Sequence, residues 1–461
     1  METTKTKKLT QSITFKGVVV GLIVLILLIP QSMILNLIEE RKDRSVDAIE
    51  RINEKWSKSQ VVCGPILSIP YITKRVEVET VETANNKREK REKIIVENQV
   101  FNIAPDQLNI GTKLFPEGKH YGIYKTILYK SDMSINGTFK NLKQKVDRDY
   151  DFQWDKAYIS VGLSDLKGVN NQVNFQLENQ KLEVEASGAT NNYNEQQLIM
   201  FVPNLKDLIE KETLSFDCEM NLNGSNSLNF IPVGRSTKVS VNGAWKSPGF
   251  VGNFSPDSEV SGDNFSAEWN IQHFNRNIPE MWINGYSFEA FHESYFGVNL
   301  VETVDHYQQN ARSAKYALMF IALTFTVFFF VEILTKKRIH PIQYFLVGIA
   351  LIIFYSLLLS ISEQINFGIA YLSASIATIG LITAYAHSIF KNKVQTSILS
   401  VLLCVLYSFL YIILQSEETS LLIGSVGLFV ILGVIMFVSR KINFYKPEEE
   451  TIKNEDTKDI L

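Results

Sequence analysis

Cysteine is scarce. The 461 residues contain three, at positions 63, 218 and 404, too few for a disulfide framework. Histidine is scattered: His120, His273, His292, His306, His340 and His387 stand apart in the chain. None falls in a His-x-x-x-His or His-Glu-x-x-His spacing, so no metal site is expected. The chain has no P-loop and no Gly-x-Ser-x-Gly elbow, and no nucleophile–base constellation. We therefore expect no catalytic residues, no cofactor and no enzymatic activity. An excess of one charge is missing too. Lys and Arg number 46 against 49 Asp and Glu, a net charge of -3, which gives no basic field for a nucleic acid.

Long apolar runs, by contrast, are present. The stretch Asp305-His306-Tyr307-Gln308-Gln309-Asn310-Ala311-Arg312-Ser313-Ala314-Lys315 is polar, and the next nineteen positions, 316–334, carry one acid, Glu332, and no base. About 20 apolar residues at 1.5 Å each span a hydrocarbon core of about 30 Å. Further runs cover 342–361, 367–389, 396–414 and 420–438. An earlier one, 17–38, follows Lys5, Lys7, Lys8 and Lys16, lacks a small-residue cleavage pattern and continues into charged residues, so an uncleaved signal anchor is expected. That makes six membrane helices. Basic residues Lys336, Lys337, Arg338, then Lys391 and Lys393, then Arg440 and Lys441 alternate with loops holding Glu363 or Glu417 and Glu418. Cationic loops resist translocation, so both termini, 1–16 and 439–461, are expected in the cytoplasm.

Residues 39–60 space Val46, Ile49, Ile52 and Trp56 at helical intervals, with Glu40 four before Arg44, as an amphipathic linker helix would. Residues 61–310 change period. Leu214, Phe216, Cys218, Met220 and Leu222 alternate with polar residues, and Asn223-Gly224 then predicts a turn before Leu228 and Phe230. Val173, Phe175 and Leu177 predict a second hairpin with Leu182, Val184 and Ala186, and Thr237, Val239 and Val241 a further strand. Val76 and Val78 lead into the charged stretch 87–93 before Ile94 and Val96, where an exposed hairpin end is expected. The fold class is thus α+β: an anchor helix, a large antiparallel, sandwich-like β domain outside the cytoplasm, and a five-helix C-terminal bundle. Cys63 and Cys218 would share an oxidising compartment, where a bridge is possible, but the inward position of Cys218 favours a buried thiol; Cys404 is expected in the bundle core.

Four residues are the candidate functional positions. Glu332 is either part of an ion path or a local i,i+4 partner of Lys336. Asp305, Arg312 and Lys315 either anchor to head groups or couple the β domain to the bundle.

Several motifs are not explained by hydrophobicity: Asp305-His306-Tyr307 with Arg312, Lys315 and Tyr316; His340-Pro341-Ile342-Gln343-Tyr344; Gly64-Pro65-Ile66-Leu67-Ser68-Ile69-Pro70; Gly122-Ile123-Tyr124; Ser164-Asp165-Leu166-Lys167-Gly168; Pro232-Val233-Gly234; and 245–252. Taken in chain order they resemble the CreD inner-membrane protein family over nearly the whole chain. Tyr121 and Gly249 depart from it, standing where a basic residue and a serine are expected. The resemblance implies a bacterial inner-membrane protein of cell-envelope integrity and stress response, with no established reaction. The expected partners are the lipid bilayer, envelope components and other inner-membrane proteins. The second functional reading is a transporter or lipid-handling protein with a path through the bundle.

Overall fold

Alternating hydrophobicity and long apolar runs divide the chain as their periods require. The computed structural model describes residues 13–82, 88–146, 150–188, 196–285, 288–300, 306–335, 339–416 and 419–440. It is mixed α+β, with an N-terminal apolar helix, a large β-rich unit and C-terminal apolar helices. Two compact units emerge, a helical one (1–44 with 304–461) and a β one (45–303). Asp305, Lys336, Lys337, Arg338, Glu417, Glu418 and Lys441 lie outside the described residues.

In the β unit the first strands are β1 (Gln60–Glu82), β2 (Arg88–Ile103), β3 (Gln107–Tyr121), β4 (Tyr124–Lys140), β5 (Asp151–Phe152) and β6 (Tyr158–Leu163). Next come β7 (Asn174–Leu177), β8 (Gln180–Leu182), β9 (Glu185–Gly188), β10 (Gln196–Phe201), β11 (Thr213–Ser225) and β12 (Ser227–Ile231). The last are β13 (Ser236–Gly243), β14 (Pro248–Gly252), β15 (Asp257–Ser261), β16 (Asn264–Gln272), β17 (Met281–Ile283) and β18 (Phe296–Leu300). One sheet runs β14-β18-β12-β1-β6-β10-β9 with β2, β5 and β17 off that path; the other runs β15-β16-β13-β3-β4-β11-β7-β8. Most pairings are antiparallel, but β1 with β12 and β13 with β3 are parallel. Residues of period two from both sheets share one core, including Phe101, Phe139, Phe175, Phe216, Phe230, Trp269 and Phe296.

Both hairpin readings need correction at the same kind of place. β7 and β8 do pair, but the alternation carries on past Leu182 into β9, which lies in the other sheet. Likewise β11 and β12 belong to different sheets, and the corner is Asn226, at φ 59°, rather than Asn223-Gly224. The alternation in sequence does not mark the change of sheet: Leu182 is buried, Val184 half-buried and Ala186 exposed. The β1 and β2 hairpin pairs Val76 with Ile94, with both side chains exposed; residues 83–87 at its tip lie outside the described residues.

Cys63 and Cys218 are buried free thiols, one in each sheet. Burial pushes the Cys63 thiol well up; Cys218 is pushed up to about 12, by burial first and then by Asp217 and Glu219. Cys404 is a correction: it is exposed, because Leu399, Leu403, Leu406 and Leu410 take the packed face of its helix.

The helical unit uses α1 (Ile13–Trp56), α2 (His306–Lys315), α3 (Ala317–Thr335), α4 (Pro341–Ser362), α5 (Phe367–Phe390), α6 (Lys393–Gln415) and α7 (Ser420–Ser439). Four of these (α1, α4, α5 and α6) are long and apolar enough to cross a membrane, a fifth results if α2 and α3, bent by 44°, are one span, and α7 is a shorter apolar helix. Local chemistry sets the ends. His340 caps α4, with Pro341 at its first turn and Gln343 closing a capping box. Asn366 and Asn392 cap α5 and α6 by accepting from Gly368 and Val394 backbone N–H groups. Such short, capped connections make neighbouring helices antiparallel.

Candidate functional site

A carboxylate among apolar side chains is stable only when paired and hydrogen-bonded. Glu332, on α3, is 5% exposed and meets that demand at both oxygens. Its Oε1 accepts from Lys16 Nζ at 2.6 Å and from the Ile339 backbone N–H at 3.1 Å; Oε2 accepts from Tyr344 Oη at 2.9 Å. The expected local partner Lys336 lies outside the described residues. Among the described residues, the carboxylate joins α1, α3 and the start of α4.

Glu363, the residue closing α4, forms a second such point. It accepts from Tyr307 Oη at 3.2 Å, and Arg41 Nη1 stands 4.0 Å from its Oε2. Lys16 and Arg41 lie on the one helix α1, and the 25-residue interval between them covers about 37 Å at 1.5 Å per residue. That exceeds the roughly 30 Å hydrocarbon core of a bilayer. Lys16 and Arg41 each therefore meet a carboxylate at one end of the apolar packing.

The other sequence-predicted residues separate. Arg312 Nη2 donates to the Ser416 carbonyl at the end of α6, at 3.3 Å, where a cation complements the free carbonyls of a helix C-terminus. Lys315 is exposed, and Asp305 lies outside the described residues. Arg312 and Glu332 are separated by most of the length of α3, so they do not form one site.

Sequence reasoning missed the buried polar face of α2. Asn310, 1% exposed, donates through Nδ2 to the His306 carbonyl and to Ser362 Oγ, both at 2.7 Å. Gln31 Nε2 donates to the Ala314 carbonyl at 3.3 Å. Among the described residues, Gln31 Oε1, Gln309 Oε1, Asn310 Oδ1 and Ser313 Oγ are buried without a hydrogen-bond partner. One clue was available: Gln31 stands inside an apolar run, immediately after Pro30.

It also missed a joint within the β unit. Only Ser57, Lys58 and Ser59 separate the end of α1 from β1. The Ser164-Asp165-Leu166-Lys167-Gly168 motif holds them. Val61 N–H donates to Ser164 Oγ at 3.0 Å and Lys58 N–H to Asp165 Oδ2 at 3.2 Å. Gln60 Nε2 donates to the Asp165 carbonyl and to Ser57 Oγ, both at 2.8 Å. Asp165 Oδ1 meanwhile accepts from the Lys167 N–H at 3.0 Å, capping a 3-10 turn. A Cβ at Gly168 would lie 2.3 Å from the Asn223 carbonyl oxygen and 2.8 Å from Ser57 Oγ, which accounts for the glycine.

Two further motifs are structural. Gly64 adopts φ +116°, and a Cβ there would meet the Ser160 carbonyl at 2.7 Å. The Pro232-Val233-Gly234 turn presents carbonyls to the buried Arg276, which donates to Val233 at 2.7 Å, to Gly234 at 3.0 Å and also to Ile278. Burial brings the Arg276 guanidinium down to about 10, against a smaller upward pull from Glu280.

The family described as inner membrane protein CreD matches residues 12–445. Inner membrane protein CreD of Escherichia coli (strain K12) is 29% identical over 442 residues, covering 95% of this chain and 96% of that one. Among solved structures, an M1 zinc metallopeptidase from Deinococcus radiodurans aligns with 36% of this chain and 38% of its own at 8% identity and a TM-score of 0.18, which carries no argument. With motifs from Gly64-Pro65 to the His340 cap falling inside a match of nearly full length, the chain belongs to the CreD inner membrane protein family.

Proposed function

We propose that this inner-membrane protein supports cell-envelope integrity without catalysing a reaction. Its β unit lies outside the cytoplasm and binds or senses an envelope component, and its helices anchor it and relay its state. In this reading α1, α2 with α3, and α4 to α7 make six spans with both termini cytoplasmic. The family and the apolar helices support a membrane protein in an envelope-related role. The alternation of basic and acidic connections supports the orientation.

One observation carries the relay. The helix α1 is continuous from Ile13 to Trp56 and is tied along its length, by Glu332 at Lys16 and by Glu363 at Arg41, while its last residues feed the Asp165 joint. A strut held in this way transmits displacement, because parting Lys16 from the buried Glu332 would leave that carboxylate without its counter-charge. The test is charge exchange at the buried end. Lys16→Glu alone and Glu332→Lys alone are expected to raise the sensitivity of cells to envelope stress, and the double exchange to restore resistance. Singles that behave as wild type, or an exchange that rescues nothing, would contradict the relay.

The unpartnered polar atoms on the bent α2 favour the second reading, a substrate path, since broken helices with free polar groups line such paths. Solute uptake into vesicles that is lost in Glu332→Gln would promote it over the relay.

A further inference from the structure

The outward face of the second sheet has a floor that solvation does not explain. Across six neighbouring strands the register places Glu268, Ser240, Gly111, Ser134, Glu219 and Asn174 in one row. Its middle is therefore serine, glycine, serine. Two residues along each strand, on one side, stand Ser266, Asn242, Lys113, Asp132 and Asn221; on the other stand Asn270, Lys238, Asn109, Asn136, Asp217 and Gln176. With about 4.8 Å between strands and about 6.7 Å between same-face residues, this is a trough roughly 24 Å long with walls about 13 Å apart. A depression of about 540 Å³ opens over Gly111, Ser134 and Ser240, within the usual range for ligand sites.

Gly111 is the informative residue. A mid-strand glycine costs roughly 0.5–1 kcal/mol relative to alanine. Here the backbone does not require it: φ is not positive, and an added Cβ would come no nearer than 3.7 Å to Ser240 Oγ. A strand glycine without a packing reason marks a close approach by something else. The walls are also held in place. Asn109 Nδ2 donates to Asn136 Oδ1 at 3.1 Å, Asn221 Nδ2 to Asp132 Oδ1 at 2.6 Å, and Lys238 pairs with Glu268 at 2.7 Å. Lys113 is held too: its ammonium lies over the exposed Phe115 ring, 5.3 Å from the centroid.

We propose that this trough binds a glycan chain: uncharged, polyhydroxylated and lying across the strands. Four carboxylates, Asp132, Asp217, Glu219 and Glu268, face two lysines, Lys113 and Lys238, so an anionic polymer is repelled. Planar amides and carboxylates at fixed spacing pair with vicinal hydroxyls. This names the ligand class within the envelope-sensing reading above and rests on it.

The test uses the full chain in detergent micelles, titrated calorimetrically with a soluble oligomer of N-acetylglucosamine, a sulfated polyanion and a cationic peptide. The oligomer is expected to bind. Gly111→Leu, which fills the floor but suits a strand, and Asp132→Ala are each expected to weaken it at least about tenfold, a change of 1.4 kcal/mol, with the tryptophan-detected unfolding midpoint kept. No binding of the oligomer, equal binding by Gly111→Leu, or binding only of the polyanion or the peptide would overturn the proposal. None of those results bears on which side of the membrane the β unit occupies, which is measured separately below.

Discussion

Arg276 and Glu332 are both buried charges, and they are satisfied in different ways. In the β unit, Arg276 donates to backbone carbonyls of its own neighbourhood, at Val233, Gly234 and Ile278. In the helical unit, Glu332 is met by a side chain 316 positions away. A β unit has abundant loop carbonyls to offer a cation. Helices spend their backbone N–H groups internally, so a carboxylate on one of them finds its donors at a free N–H before the next helix, as at Ile339, and on side chains of other segments, as at Lys16 and Tyr344. Buried charge in the first unit therefore fixes a local turn, and in the second it joins distant segments.

The sharpest way to break this comparison is Arg276→Leu. It strips donors from buried carbonyls, and the β unit is expected to lose about 3 kcal/mol or more. All five tryptophans, Trp56, Trp154, Trp245, Trp269 and Trp282, lie in the β unit, so their fluorescence reports its unfolding alone. An unchanged midpoint would show that the arginine is idle.

Asp165→Ala tests the joint at the end of α1. Loss of a cap and of the Lys58 N–H acceptor is expected to cost about 1–2 kcal/mol on the same signal. Glu332→Gln sharpens the contrast from the other side: it should weaken the helical unit while leaving the tryptophan midpoint in place, and a shift of that midpoint would deny the separation.

The smallest expected effect is a pH dependence. Glu178 accepts from the Ser215 N–H first, and from Lys211 and Ser215 Oγ, which hold its carboxyl below the ordinary 4.5. A depressed folded-state value means stability that is present above pH 4.5 and lost as pH falls below it. Glu178→Gln should remove that part of the acid sensitivity; an identical acid limb in the variant would refute the assignment.

The two periods were legible in the sequence, and so were the helical runs, because burial leaves them in the order of residues. The sheet assignment of β9 and β12 was not, since Leu182 to Ala186 and Leu222 to Leu228 keep the same alternation whether the chain turns back or changes sheets. Glu332 stood out as the one acid in its apolar run, but its contact with Lys16 was not legible: Lys16 is one of four lysines in a basic N-terminal stretch, and nothing local singles it out. The trough was invisible for a stronger reason. Ser240, Gly111, Ser134 and Glu219 meet only through the register of four strands, one pairing of which is parallel.

Thiol labelling decides the placement on which the proposed role depends. In a Cys404→Ala background, with Cys63 and Cys218 buried, Lys246→Cys in the β unit and Lys391→Cys between α5 and α6 provide single exposed thiols. In cells with a permeabilised outer membrane, a membrane-impermeant maleimide is predicted to label Lys246→Cys at once and Lys391→Cys only after lysis. Labelling of Lys391→Cys in intact cells with Lys246→Cys protected would contradict the account.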